Sequence, residues 1–184
     1  MPVEQNDFGF ARSYQVEINP EFPSTGRWEL PEFTFGEGGL ERLVIRVTPD
    51  GGRPWVASFA LETRGLLCGV YACPNTAHLI VLTGNDAVLI PPNDPGATKI
   101  LPIHPTVAVT RPEGTDLLVV GSFTDAAAVD RGGLRWVTDR LFRDDLELAV
   151  GPPGKILVKG TTHQPLLERQ LLELDPATGR VVRR

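Results

Sequence analysis

Leu79-Ile80-Val81-Leu82-Thr83-Gly84 is an unbroken aliphatic run that follows a turn at Pro74 and stops at a glycine. The same pattern returns as Pro112 before Leu117-Leu118-Val119-Val120-Gly121, and as Pro152 before Ile156-Leu157-Val158-Lys159-Gly160. The prolines stand 38 and 40 positions apart, and the glycines 37 and 39. A period of about forty residues built from short β-rich runs indicates stacked or radially arranged sheets.

Working outward from these runs, a second set of signals falls between them. Asp- and Gly-bearing clusters follow aliphatic segments at Pro49-Asp50-Gly51-Gly52, Asn93-Asp94-Pro95-Gly96, Asp130-Arg131-Gly132-Gly133 and Asp175-Pro176-Ala177-Thr178-Gly179. Such residues supply the positive φ angles and side-chain-to-backbone bonds that chain reversals need. Strand-like sequence precedes each cluster (Leu43 to Thr48, Ala87 to Ile90, Ala126 to Val129, Leu171 to Leu174) and follows it (Trp55 to Leu61, Lys99 to Ile103, Leu134 to Thr138, Arg180 to Arg183). Helix-period stretches are scarce. The two best, near Thr124 to Val129 and Leu166 to Leu172, fall where the period calls for a strand.

The expected unit therefore has four strands, spanning about 66–103, 105–141 and 145–183 in its later copies. In the first copy the hairpin is clear at 43–61, and its inner pair is expected from Tyr14 to Ile18 and Trp28 to Phe35. The fold class is all-β: a small β-propeller-like array of four-stranded antiparallel sheets, the alternative being a β-sandwich or flattened barrel. Residues 1–184 are expected to make one domain, with 1–40 as an irregular, aromatic-rich N-terminal segment.

Composition bounds the function classes. Gly 19 and Pro 17 are high, but they punctuate the aliphatic runs and do not form one tract. Residues 1–50 hold nine carboxylates against four arginines, which is the whole net charge of −5. The remainder is balanced, so the counterion release that drives nucleic-acid binding has no source, and no nucleic-acid partner is expected. No stretch has the roughly 18 apolar residues of a membrane span, and the start lacks the pattern of a signal peptide. The expectation is a cytoplasmic protein with no membrane partner. Cys68 and Cys73 lie about 16 Å apart along an extended strand, too far for a disulfide, and read as buried reduced thiols.

Motifs for chemistry are sparse. His78, His104 and His163 share no ligand spacing, so no metal or other cofactor is expected. No Gly-x-Ser-x-Gly elbow exists, and neither Gly36-Glu37-Gly38-Gly39 nor Gly151-Pro152-Pro153-Gly154-Lys155 has the ending of a phosphate loop. No catalytic residue is nominated. The densest segment is 136–147, where Trp136, Arg140, Phe142, Arg143 and Asp144 are the candidate binding residues, because Trp and Arg dominate interface hot spots. Structural ion pairing by Arg140 and Arg143 is the competing reading. Adjacent Asp144 and Asp145 point to opposite faces of an extended chain, which disfavours a carboxylate pair.

Gly133-Leu134-Arg135-Trp136-Val137-Thr138-Asp139-Arg140-Leu141 with Asp145-Leu146, and Leu174-Asp175-Pro176-Ala177-Thr178-Gly179, resemble a set of bacterial propeller-like proteins with no established activity. The resemblance covers about the last two thirds of the chain. It implies a fold and transfers no catalytic residue.

Seven of the thirteen aromatics lie in the N-terminal segment: Phe8, Phe10, Tyr14, Phe22, Trp28, Phe33 and Phe35. Each offers up to about 150–250 Å² for burial, so the segment is expected to wrap the β body, or in part to form an interface. The functional expectation is a non-enzymatic binding or scaffold module with a protein partner or self-association. The alternatives are a small-molecule enzyme or ligand-binding protein using 139–147, and a structural subunit of a homo-oligomer.

Overall fold

A computed structural model of the chain describes residues 3–38, 41–62, 66–162 and 168–183. In chain order the strands are β1 (Glu4–Asn6), β2 (Tyr14–Ile18), β3 (Glu32–Phe35), β4 (Arg42–Pro49), β5 (Trp55–Ala60), β6 (Cys68–Ala72), β7 (Leu79–Thr83) and β8 (Ala87–Ile90). They continue as β9 (Lys99–Leu101), β10 (Ala108–Thr110), β11 (Leu118–Gly121), β12 (Ala126–Asp130), β13 (Gly133–Val137), β14 (Asp144–Ala149), β15 (Ile156–Thr161), β16 (Arg169–Leu174) and β17 (Val181–Arg183). One 3₁₀ turn, Pro95–Ala97, lies between β8 and β9.

The strands form four sheets, none of them closed into a barrel: β2-β4-β5-β3, β1-β6-β7-β8-β9, β10-β11-β12-β13 and β14-β15-β16-β17. The last two are antiparallel meanders. Pro74, Pro112 and Pro152 lie in the loops β6–β7, β10–β11 and β14–β15, the same step of each sheet. The Asp- and Gly-bearing clusters turn β4 into β5, β8 into β9, β12 into β13 and β16 into β17. Of the stretches 124–129 and 166–172, which carried helix-like patterns, residues 126–129 lie in β12 and 169–172 in β16.

Three buried clusters order the sheets. Leu43, Ile45, Val47, Trp55, Ala57 and Phe59 of the first sheet pack on Val70, Leu79, Val81, Val88 and Ile90 of the second. Ile80, Leu82 and Leu89 on the second sheet's other face meet Leu118, Val120, Ala127 and Val129 of the third. Leu117, Val119, Ala126, Ala128 and Trp136 of the third then meet Phe142, Leu146, Ile156, Val158, Leu172 and Leu174 of the fourth. Among the described residues no such cluster joins the fourth sheet to the first.

This order explains the sequence patterns. Side chains alternate faces along a strand, so β7 sends Leu79 and Val81 to one neighbour and Ile80 and Leu82 to the other. Both faces are dry and the run is apolar throughout. Each such burial contributes about 1.5–3 kcal/mol. Strands buried at every position, β6, β7, β8 and β11, belong to the two middle sheets. In the outer sheets β4 buries Leu43, Ile45 and Val47 while exposing Arg42 and Arg46, and β15 buries Ile156 and Val158 while exposing Lys159.

The first sheet corrects one expectation. Its segments 14–18 and 32–35 do not pair with each other; they are the two edges, on either side of the hairpin β4–β5. β2 is antiparallel to β4, β4 to β5, and β3 is parallel to β5, so β2 and β3 run the same way at opposite edges. Such strands need a crossover of about a dozen residues. The second sheet occupies the inner face, so residues 19–31 must cross the outer one.

Candidate functional site

The segment 136–147 divides sharply by depth. Trp136 is buried, its Nε1–H donating to the Pro176 carbonyl at 2.9 Å. Gly179, at φ +70, passes so close that an added Cβ would stand 2.6 Å from the Trp136 ring. Phe142 is fully buried beneath Gly160, where an added Cβ would lie 2.5 Å from its ring. Both rings fill the space between the third and fourth sheets. They are not available to a partner.

The charged members of the segment are exposed, and the Arg140 and Asp144 side chains are engaged locally. Arg140 donates through Nε to the Phe142 carbonyl at 3.0 Å and through Nη2 to that of Arg143 at 2.9 Å. Arg143 pairs its backbone N–H with Thr161, and the Asp144 carboxylate accepts from the Asp145 N–H. Asp145 has φ +60, in the stretch where the β14–β15 register shifts. Arg140 therefore braces its loop through carbonyls instead of the expected ion pairs. The ion pair lies further along: Arg169 Nη2 meets Glu147 Oε1 at 2.7 Å, and this hydrogen bond holds the Glu147 carboxyl below its ordinary value.

Other polar clusters serve the fold. A cleft of about 500 Å³ between the N-terminal strap and the loops of the second and third sheets is lined by Phe10, Asn75, Arg111, Asp116 and Arg131. Arg111 Nη1 donates to the Phe8 carbonyl at 2.9 Å, and its guanidinium lies 4.3 Å from the Phe10 ring centre. Arg131 Nε binds Asp116 at 2.8 Å, and Asn75 donates to the Arg131 carbonyl. These contacts clamp the strap and the loops together. Cys68 and Cys73 are buried and unpaired, and burial pushes both thiols up. Among the described residues no three His, Cys, Asp or Glu side chains are placed to hold a metal ion. His163 lies outside the described residues.

The N-terminal aromatics mostly wrap the β body. Phe8 stacks on Tyr71, Phe33 meets Trp55 edge-on, Phe35 stacks on Phe59, and Phe10 and Tyr14 are buried. Two do not sink. Phe22 is 60% exposed and Trp28 half-buried, and they meet edge-to-face with centroids 5.5 Å apart at 88°. Both belong to the crossover 19–31.

Beneath that crossover is a groove of about 370 Å³ lined by Phe22, Trp28, Glu32, Phe33, Val44, Val56 and Ser58 among others. Strand register builds its floor. Val44 lies opposite Ser58, and Ser58 opposite Thr34; Arg46 lies opposite Val56, and Val56 opposite Glu32. Alternation sends Trp55, Ala57 and Phe59 into the core and these residues outward. Val56 is only 3% exposed although it faces away from the sheet stack, because the crossover lies over it. Asn19 anchors the crossover's start, its N–H donating to the Val44 carbonyl at 2.7 Å and its Oδ1 accepting from the Val44 N–H at 3.1 Å. The Pro31 carbonyl accepts from Val56 N–H at 2.9 Å and anchors its end. An apolar floor, two partly exposed rings and a polar rim are the anatomy of an interaction patch.

No family model matches the chain, and no curated protein matches it. Among the described residues no helix is long and apolar enough to cross a membrane.

Phe22 and Trp28 are among the seven N-terminal aromatics expected to wrap the β body or in part to form an interface, whereas residue chemistry does not single out Glu32. The available signal was the breaker-rich interval Pro20–Pro31 carrying two aromatics with no strand pattern to bury them.

Proposed function

We propose that the chain is a non-enzymatic binding or scaffold module that engages a protein partner through the groove beneath the 19–31 crossover. The observation that carries this reading is the Phe22–Trp28 pair. Phe22 is exposed and, with half-buried Trp28, packs ring against ring over the groove, whereas Phe10 and Tyr14 of the same segment are buried and Phe8, Phe33 and Phe35 pack on rings of the β body. Exposed aromatic anchors beside a pocket are the usual energetic centre of a protein interface.

The exposed carboxylates of 139–147 favour this reading over an enzyme, since water-solvated acids are poorly tuned for proton transfer. The N-terminal strands pair within the chain, β1 with β6, β2 with β4 and β3 with β5, which favours a binding module over a subunit that donates its strands. Cytoplasmic residence, the absence of nucleic-acid and membrane partners, and kinship with bacterial propeller-like proteins belong to the same proposal. Two buried, unpaired thiols suit a reducing compartment.

The test is comparative affinity capture from native lysate with wild type and the Phe22→Ala/Trp28→Ala double variant, both verified as folded by circular dichroism. The expected result is a partner retained by wild type and lost by the variant. A partner retained equally by both overturns the assignment to this groove.

A further inference from the structure

Resting on that reading, we infer that the groove takes a cationic side chain, a lysine or arginine from a basic segment of the partner protein. Three independent features converge on a cation. The first is the rings. Phe22 and Trp28 both line the groove, with their rings set perpendicular to each other. The negative face of an aromatic ring attracts ammonium and guanidinium groups, with Trp the strongest.

The second feature is Glu32. Its register position beside Val56 sets it on the outward face at the edge of the sheet, and it is exposed. Among the described residues it has neither an ion pair nor a hydrogen bond. Arg46, on the far side of Val56 in the same cross-strand row, is turned to Glu17 at 3.9 Å. Arg42 is held by the carbonyls of Ser58, Phe35 and Gly38 and by the Ser58 hydroxyl. Arg46 and Arg42, the arginines of β4, are thus engaged elsewhere, while the Glu32 carboxylate has no partner among the described residues.

The third feature is the setting. The floor of Val44 and Val56 suits the methylene stem of a long basic side chain, which places its carbons on apolar surface and its charge in a polar rim. The N-terminal segment that builds the groove is acidic overall, since residues 1–50 carry the whole net charge of −5. An acidic segment would meet that like charge and an unpaired Glu32. A purely aliphatic segment would leave Glu32 desolvated without a partner, which is costly.

The experiment follows the Trp28 indole N–H in two-dimensional ¹H–¹⁵N NMR during titration with butylguanidinium, butylammonium, butyrate and butanol. The two cations are expected to shift Trp28 and the amides of Glu32 and Ser58, leaving buried Trp136 unmoved, while butyrate and butanol do not. Glu32→Gln, an exposed change that leaves the fold intact, should weaken the cations by about fivefold, and Glu32→Lys by about tenfold or more. Equal shifts from butanol or butyrate, or cation affinity unchanged in Glu32→Gln, overturn the inference.

The captured partner separates this result from the parent reading. Loss with Phe22→Ala/Trp28→Ala but undiminished binding to Glu32→Lys keeps the groove as a docking site and removes the cation. Retention by every variant removes both.

Discussion

Replacing Trp136 with alanine tests the packing of the third sheet on the fourth. The ring is 7% exposed within a cluster that includes Leu117, Ala128, Phe142, Ile156 and Leu174. Gly179 crosses one side, where even a methyl group has no room. Truncating such a ring costs about 3–5 kcal/mol, the surroundings relaxing only partly into the void. The lost bond to the Pro176 carbonyl accounts for about 0.5–1.5 kcal/mol of comparable net effects. For a chain of this size each kcal/mol lowers the unfolding midpoint by about 2–4 °C, so a fall of about 6–20 °C is expected. Trp136→Phe keeps one ring and should fall between alanine and wild type.

Thermal unfolding followed by near-ultraviolet circular dichroism measures the midpoint, and hydrogen exchange locates the loss. Protection should fall first in β13–β17, because the damaged cluster is the one joining those strands to the rest, while β4 and β5 keep theirs. A midpoint within about 2 °C of wild type would refute the core assignment of Trp136.

Gly160→Ala drives a methyl into the Phe142 ring, which is fully buried and has nowhere to swing. A loss of about 1–3 kcal/mol is expected in urea unfolding, and an unchanged midpoint would mean that the sheets approach less closely than described. His78 supplies a pH dependence. Burial, with Lys99 adding to it, holds its imidazole below the ordinary value, and its Nδ1 is buried without a partner. Because the folded value lies below the unfolded one, the unfolded chain binds more protons between the two. Stability is therefore full above about pH 6.5 and declines as pH falls through the folded value. His78→Gln should flatten that part of the stability–pH curve, and identical curves for variant and wild type would exclude the residue as its source.

The four consecutive strands of each later sheet were readable because their information is local, whereas β1, which joins the second sheet parallel to β6, carries no such signal. A proline before each second strand and an Asp- or Gly-bearing turn before each fourth act through backbone sterics within four or five residues. The first sheet was readable only at its hairpin. Its edge strands β2 and β3 are thirteen residues apart and never touch, and their common direction appears in no local pattern. The depth of two candidate binding residues was hidden for a related reason. Trp136 and Phe142 are chemically typical of an interface, but their depth is set by Gly179 and Gly160, on strands or turns that meet them only in the folded chain.

The order of residues alone determined that this chain is β throughout, where it turns, and which runs are dry on both sides, since torsional preference and side-chain alternation are properties of short segments. Tertiary structure decided which sheet meets which. It also decided which aromatics sink and which stand over a groove, because burial depends on surfaces contributed by distant parts of the chain.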